Sequence, residues 1–206
     1  MEIELKYLLD SADQAEQIFS DEMVAELQDG RERTTQMHAV YYDTEREDLR
    51  NARIAYRIRL EGEQYVCTVK WDGSSENGMH RREEVNVPVN DQELISHPTV
   101  DILEQSQVWS ILRDVTEGRP LVPLMDMRFE RRAVRLDSGE TICVLSVDRG
   151  QIQVKGRTAP INEMEIELYS GKEEGIQRLG DALSDKYGLK PENISKFQRG
   201  YMLIHG

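Results

Sequence analysis

Polar and apolar residues alternate with a period of two over several stretches of this chain, and the polar partner in those stretches is commonly charged. Side chains on a β-strand point to opposite faces in turn, so each stretch predicts a strand with one charged and one apolar face. Glu2-Ile3-Glu4-Leu5-Lys6-Tyr7 opens the chain this way, with Glu2, Glu4 and Lys6 on one side and Ile3, Leu5 and Tyr7 on the other. Asp10 or Ser11 can then cap a helix, Gln14 completing a capping box on Ser11. Ala15, Ile18, Phe19, Met23, Ala25 and Leu27 recur at helical spacing up to Gly30. His38–Tyr42 is β-prone and leads into a turn at Asp43-Thr44. Leu49–Asn51 reads as a short helical or irregular connection.

Alternation resumes at Ile54–Glu61, with Arg57, Arg59 and Glu61 opposite Tyr56, Ile58 and Leu60. Gln64–Trp71, carrying Lys70, is expected to complete a hairpin before a turn at Asp72–Ser75. His80–Val89 places Arg82, Glu84 and Asn86 on one face. From Asp91 to about Glu117 the spacing predicts a helix. Met125–Leu136 is the least regular strand: Arg128, Glu130 and Arg132 face one way, Met127, Phe129 and Arg131 the other, so a bulge is expected to re-aim part of it. Ile142–Asp148, a turn at Gly150 and Gln151–Lys155 read as another hairpin. Glu163, Glu165 and Glu167 alternate with Met164, Ile166 and Leu168. A helix over Lys172–Tyr187, closed by Gly188, and a last helix from about Asn193 to Leu203 end the chain.

Charged faces are common on strands exposed to water. Here the charges are chemically sorted: carboxylates come from the first and last strands, arginine and lysine from the hairpin between them. The expected fold is therefore α+β, an eight-stranded antiparallel β-barrel with charged faces turned inward and helices packed on its apolar outside. No low-complexity linker divides the sequence, so a single domain over residues 1–206 is expected.

Composition narrows the chemistry. The 206 residues include 39 acidic and 26 basic side chains, a net charge of −13, and 38% apolar residues. So acidic a chain is a poor partner for long nucleic acids. No apolar run approaches the length needed to cross a membrane as a helix, and no signal peptide is recognisable. Cys67 and Cys143 have no zinc-binding spacing, which suits a reduced, cytoplasmic protein. His38, His80, His97 and His205 are scattered and expected at the surface. Two like charges 4 Å apart repel by about 4 kcal/mol at an effective dielectric near 20. Clustered carboxylates therefore call for cations, and all-oxygen ligands suit Mg²⁺ or Mn²⁺. Guanidinium groups on the facing side offer forked donors to phosphate. No Gly-rich phosphate loop is present.

Glu2-x-Glu4-x-Lys6 resembles the signature of the CYTH superfamily, the triphosphate tunnel metalloenzymes. Tyr41-Tyr42-Asp43-Thr44, Arg57-x-Arg59, Lys70, Arg82-x-Glu84, Glu163-x-Glu165-x-Glu167 and Ser195-Lys196-x-x-Arg199-Gly200-Tyr201 follow in that family's order. The resemblance is greatest to the N-terminal catalytic domain of bacterial inorganic triphosphatases. It implies an eight-stranded tunnel that hydrolyses or cyclises triphosphates with Mg²⁺ or Mn²⁺. Glu2, Glu4, Asp148, Glu163, Glu165 and Glu167 would then be metal ligands. Lys6, Arg57, Arg59, Lys70, Arg82, Arg131 and Lys196 would grip phosphates, with Arg128 and Glu84 as weaker assignments, and Lys6 or Lys196 would serve catalysis as donor or base. The implied partner is inorganic triphosphate, with no membrane; a homodimer is compatible. Adenylate cyclase, thiamine triphosphatase and a non-catalytic polyphosphate-binding module stay open. Relatives of this kind usually continue into a second, helical, histidine-containing domain, whereas this sequence ends at Gly206.

Overall fold

The computed structural model describes residues 1–205, His205 by its backbone alone. Gly206 and the His205 side chain, assigned to the surface from sequence, lie outside the described residues. Eight strands form one antiparallel sheet: β1 (Glu2–Leu8), β2 (Arg33–Asp43), β3 (Ala55–Glu61), β4 (Gln64–Glu76), β5 (Met79–Val89), β6 (Val122–Asp137), β7 (Thr141–Val154) and β8 (Arg157–Gly171). Their order is β5-β4-β3-β2-β6-β7-β8-β1, and β1 also pairs with β5, so the sheet closes into the expected barrel. A two-residue strand, β9 (Lys190–Pro191), adds to β1. Around the barrel lie α1 (Ala12–Phe19), α2 (Glu22–Leu27), α3 (Asp48–Asn51), α4 (Gln92–Ser96), α5 (Trp109–Thr116) and α6 (Glu173–Tyr187), while α7 (Lys196–His205) packs against inward-facing residues of β6 and β7.

The outer face is apolar and the helices cover it. Leu5, Tyr7, Leu145, Val147, Met164 and Ile166 pack with Ile176, Leu179 and Leu183 of α6 and with Ala15 and Ile18 of α1. Tyr56, Ile58, Cys67 and Val69 pack with Leu49 of α3 and Leu112 of α5. Burying each such large side chain contributes about 1.5–3 kcal/mol, so a major stabilising layer lies outside the strands. Opposed residues in an antiparallel pair share a face, and the register carries one inner face round the barrel. Glu4 lies opposite Glu167, Lys6 opposite Glu165, Asp148 opposite both Glu163 and Arg131, Glu2 opposite Arg82, and Arg57 opposite both Thr68 and Tyr41.

Several elements differ from expectation. The first helical stretch is two helices, because the Asp21 carboxylate caps the Met23 amide and starts α2. The stretch Asp91–Glu117 is likewise broken into α4, a 3-10 turn at Val100–Leu103 and α5. Strand β4 runs through Asp72–Ser75 with a register shift between Trp71 and Ser74, and the chain turns at Asn77-Gly78, both at positive φ. Gly150 is not a turn: it sits inside the continuous strand β7, opposite Phe129, where a Cβ would overlap the backbone of Arg128 and Phe129. The glycine serves a close approach, and the real turn is Lys155-Gly156. Arg131 needs no bulge. Plain alternation puts it on the face of Met127 and Phe129, and the β2–β6 register shift lies upstream, between Tyr41 and Tyr42. No described helix is long and apolar enough to cross a membrane, and Cys67 and Cys143 are buried free thiols.

Candidate active site in the barrel interior

Strands β1, β7 and β8 bring an acidic wall to the inner face. Asp148, Glu163 and Glu165 are buried and close enough together to share one ion. Four cations already hold them. Lys6 Nζ lies 2.8 Å from Glu165 and 3.5 Å from Glu163. Lys196 Nζ lies 2.8 Å from Asp148 and 2.9 Å from Glu165, and also pairs with Glu163. Arg131 spans both oxygens of Asp148, at 2.7 and 2.6 Å, and reaches Glu165 at 2.6 Å. Arg199 donates to Glu163. Burial opposes the charge on Lys6, but Glu163 and Glu165 outweigh it and hold the ammonium well above its ordinary value. For Lys196, Asp148 and Glu163 likewise outweigh burial. Both amines are thus kept protonated.

Strands β3, β4 and β5 supply the facing basic wall. Lys70 Nζ bridges Glu2, at 2.6 and 2.7 Å, and Glu84, at 2.7 Å. Burial would raise the Glu84 carboxyl, yet Lys70 and Arg57 hold it down at about 2. Arg82 Nη2 lies 3.4 Å from Glu4. Arg57 Nη1 donates to the Tyr41 hydroxyl at 3.2 Å and Arg59 Nη2 to Glu61 at 2.9 Å, while the buried Nε of each has no partner among the described residues. Burial and the neighbouring Arg57 push the Arg59 guanidinium down to about 10. These two arginines retain unused donors, and an anion would accept from them.

Between the walls the balance reverses. Among the described residues Glu167 makes no ion pair; the residue keeps an exposed side toward solvent, yet partial burial, followed by the Glu2 carboxylate, pushes it from 4.5 up to about 7. Glu2 is also raised, by burial first, with Glu4 and Glu84 adding to it against Lys70. The compact Asp148–Glu163–Glu165 group is already neutralised, and Glu4 is held down against burial by Lys6, Lys70 and Arg82, whereas Glu2 and Glu167, both raised, are short of positive charge. Carboxylates in that condition favour a hard divalent cation beside them.

A charge-sorted tunnel of this kind has known relatives. Residues 1–201 match the CYTH domain. The chain belongs to the CYTH family. It is 28% identical, over 163 residues, to an inorganic triphosphatase of Haemophilus influenzae; the match covers 79% of this chain and 44% of that protein, so the chain spans less than half of its relative's length. Its fold is similar to that of a candidate adenylyl cyclase from Hippeastrum described as having a dominant triphosphatase activity, with TM-score 0.74, 23% identity and coverage of 98% of this chain and 96% of that one. It is also similar to a protein of Pyrococcus horikoshii, with TM-score 0.60, 17% identity and coverage of 100% and 99%.

Within this CYTH barrel, Glu2, Glu4, Lys6, Arg57, Arg59, Lys70, Arg82, Glu84, Arg131, Asp148, Glu163, Glu165 and Glu167 all take inner-face positions, and Lys196 enters from α7. Arg128 does not: it is exposed, pairs with Asp126 at 3.1 Å, and with His38 borders a cavity of about 750 Å³ that Met37, Phe129 and Ile161 also line. Sequence reading missed His80, which was expected at the surface and is instead 2% exposed on the inner face opposite Glu4. Burial, with Lys6, lowers its pKa, so it is neutral. The closing signature acquires separate physical roles. Lys196 and Arg199 meet the acidic wall, Tyr201 donates to Glu47 and lies under the Arg50 guanidinium, 3.9 Å from the ring centroid, and Gly200 lets α7 press against Met125 and Ile152. The two-residue spacing of His80 from Arg82 and the spacing of Arg199 from Lys196 were visible signals, readable only once the register was known.

Proposed function

We propose that this chain is a metal-dependent inorganic triphosphatase, acting as one catalytic domain with Mg²⁺ or Mn²⁺. The observation that carries the reading is the pairing, on one inner face, of cation-deficient carboxylates with half-buried arginines that keep an unused buried donor. A short, highly charged phosphate chain accompanied by a divalent ion satisfies both. Glu2, Glu4, Glu165 and Glu167 are the proposed metal ligands. Asp148 and Glu163 hold Lys196, Arg131 and Arg199 in place beside them. When bound, the metal supplies charge neutralisation and polarisation of the phosphoanhydride. Arg57, Arg59, Lys70, Arg82 and Arg131 grip the phosphate oxygens by charge-assisted hydrogen bonds. Lys6 and Lys196, kept protonated by the acidic wall, act as donors to the developing charge on phosphate; the expected alternative, that one of them serves as a base, has no support from their shifts.

A second reading rests on Tyr169, which is 73% exposed, two residues beyond Glu167, with the Arg135 guanidinium 5.5 Å from its ring centroid. An open ring beside the acidic strand offers a stacking surface to a nucleobase or a thiamine ring. Phosphate release from inorganic triphosphate, ATP and thiamine triphosphate, each with Mg²⁺, with Mn²⁺ and with chelator, separates the readings. Metal-dependent release from inorganic triphosphate far above the other two supports the proposal. Cyclic AMP, or faster turnover of ATP or thiamine triphosphate that Tyr169→Ala removes, replaces it with the second reading. Binding of triphosphate without turnover makes the chain a binding module.

A further inference from the structure

We infer that His80 is a positioning residue that aims the Arg82 guanidinium across the barrel. The inference rests on the triphosphatase reading for its kinetic consequence only; its geometric content stands alone. The His80 ring is held by two contacts of opposite polarity. Arg82 Nη2 lies 2.7 Å from His80 Nδ1, and the Glu192 carbonyl oxygen lies 2.8 Å from His80 Nε2. A guanidinium can only donate and a carbonyl can only accept. The ring is therefore the neutral tautomer with its proton on Nε2, accepting from Arg82 at Nδ1 and donating to Glu192 at Nε2. A histidine whose second nitrogen is fixed by a backbone carbonyl presents its first nitrogen in a defined direction.

That direction matters because Arg82 is otherwise loosely held. Its contacts to Glu4 and Glu2 are 3.4 and 3.7 Å, both longer than the bond to the imidazole. A guanidinium tied by a short bond at one Nη keeps its remaining donors turned toward the space that Glu2 and Glu4 border. The Glu192 end of the bridge is itself anchored, since the Glu192 amide donates to the Lys6 carbonyl at 2.9 Å and Asn193 caps the Gly78 amide at 2.8 Å. His80 thus joins the segment that launches α7 to the basic wall.

Two variants take the bridge apart. His80→Asn places an amide oxygen where Nδ1 was and keeps an acceptor for Arg82; His80→Gln places an amide nitrogen where Nε2 was and keeps the tie to Glu192. With Mg²⁺ and inorganic triphosphate, His80→Gln is expected to lower kcat/KM by on the order of 10–100-fold, the usual consequence of misaiming a binding group. His80→Asn is expected to recover most of that loss although it gives up the Glu192 bond. In an Arg82→Ala background His80→Gln is expected to add nothing further. Additive losses, or a His80→Asn no better than His80→Gln, overturn the assignment and leave His80 a packing residue. Nitrogen-15 NMR of the imidazole gives a readout free of turnover. The neutral Nε2–H tautomer is expected, with an Nδ1 resonance that moves in Arg82→Ala; an unmoved resonance sinks the inference. A wild-type protein that shows this resonance but hydrolyses no triphosphate sinks the functional proposal instead.

Discussion

The inside of this barrel has two halves built from the same strands and opposite in character. Toward one end Glu163, Glu165, Asp148 and Arg131 face inward; a few residues along the same β6, β7 and β8 strands, Phe129, Met127, Met125, Ile152, Val154 and Ile161 face inward too. In the apolar half they close on Met37, Ala39 and Tyr41 of β2, with Phe197 and Tyr201 of α7 packed against them. The charged half is a network of ions taken out of bulk water, whose desolvation offsets much of their mutual attraction. The apolar half buries hydrocarbon and contributes stability directly. Alternation decides which residues face inward; side-chain chemistry along the strand decides what the interior is for. Stability and turnover should therefore separate between the halves.

The largest expected effect lies in the charged half. Chelating the divalent ion should abolish phosphate release, and Glu4→Gln should lower turnover by on the order of 10²–10³-fold, as when one charge-stabilising group is removed from an active site. The melting temperature of Glu4→Gln should fall only modestly, because the attraction of Lys6, Lys70 and Arg82 for the Glu4 carboxylate is offset in large part by its burial and by the like charge of Glu165. Steady-state kinetics beside thermal melts check this. A variant that melts much earlier would show the charged half to be structural.

The mirror experiment belongs to the apolar half. Ile161 is 2% exposed and opposite Gly150. Ile161→Ala should cost about 2–5 kcal/mol of stability through lost burial and a residual cavity, read by denaturant unfolding. Well below its transition the variant should still turn over triphosphate. Loss of turnover in a folded Ile161→Ala would mean the halves are coupled rather than separate.

Much of the charged half was legible in the sequence and little of the apolar half was. Glu2, Glu4 and Lys6, or Arg57 and Arg59, announce themselves because charges alternating with aliphatics have a simple period. Phe129 and Met127 do not. On β6 the arginines stand on both faces, and the inward face changes from Met and Phe to Arg131 within one strand, so a uniform rule of charge inside fails there. Gly150 was misread as a turn for the same reason: its purpose is a close approach to Phe129 on a neighbouring strand, a non-local fact. His80 escaped because a lone histidine carries no pattern; its partners, Arg82 and Glu192, come from β5 and from the segment ahead of α7.

Gly200→Ala tests the join between the halves and should have an intermediate effect. A methyl there would overlap Met125 Sδ and crowd Ile152 Cγ2 at 3.1 Å. Since the methionine can move, the cost should be about 1–3 kcal/mol. The helix that is pushed outward carries Lys196 four residues earlier, so turnover should fall along with stability. A loss of stability with kcat intact would show that α7 relaxes without moving Lys196.

The smallest effect is a pH dependence that metal should erase. Glu167 ionises near 7 in the folded, metal-free protein and near 4.5 as an ordinary carboxyl. Below 4.5 it is protonated in both states, so its contribution to stability is fully present. Between 4.5 and 7 the unfolded chain ionises first, and stability from this group is lost as pH rises through 7. Glu84 works in the opposite direction and in a separate window: held at about 2, it loses its contribution as pH falls from 4.5 toward that value. In metal-free protein the melting temperature of the wild type relative to Glu167→Gln should therefore decline from pH 4.5 to 7. Adding Mg²⁺ should flatten the decline at its upper end, with release of a proton on binding. A difference curve that stays level without metal, or one that Mg²⁺ leaves unchanged, would move the cation away from Glu167 and onto Asp148, Glu163 and Glu165 alone, where it would have to displace Lys6 or Lys196.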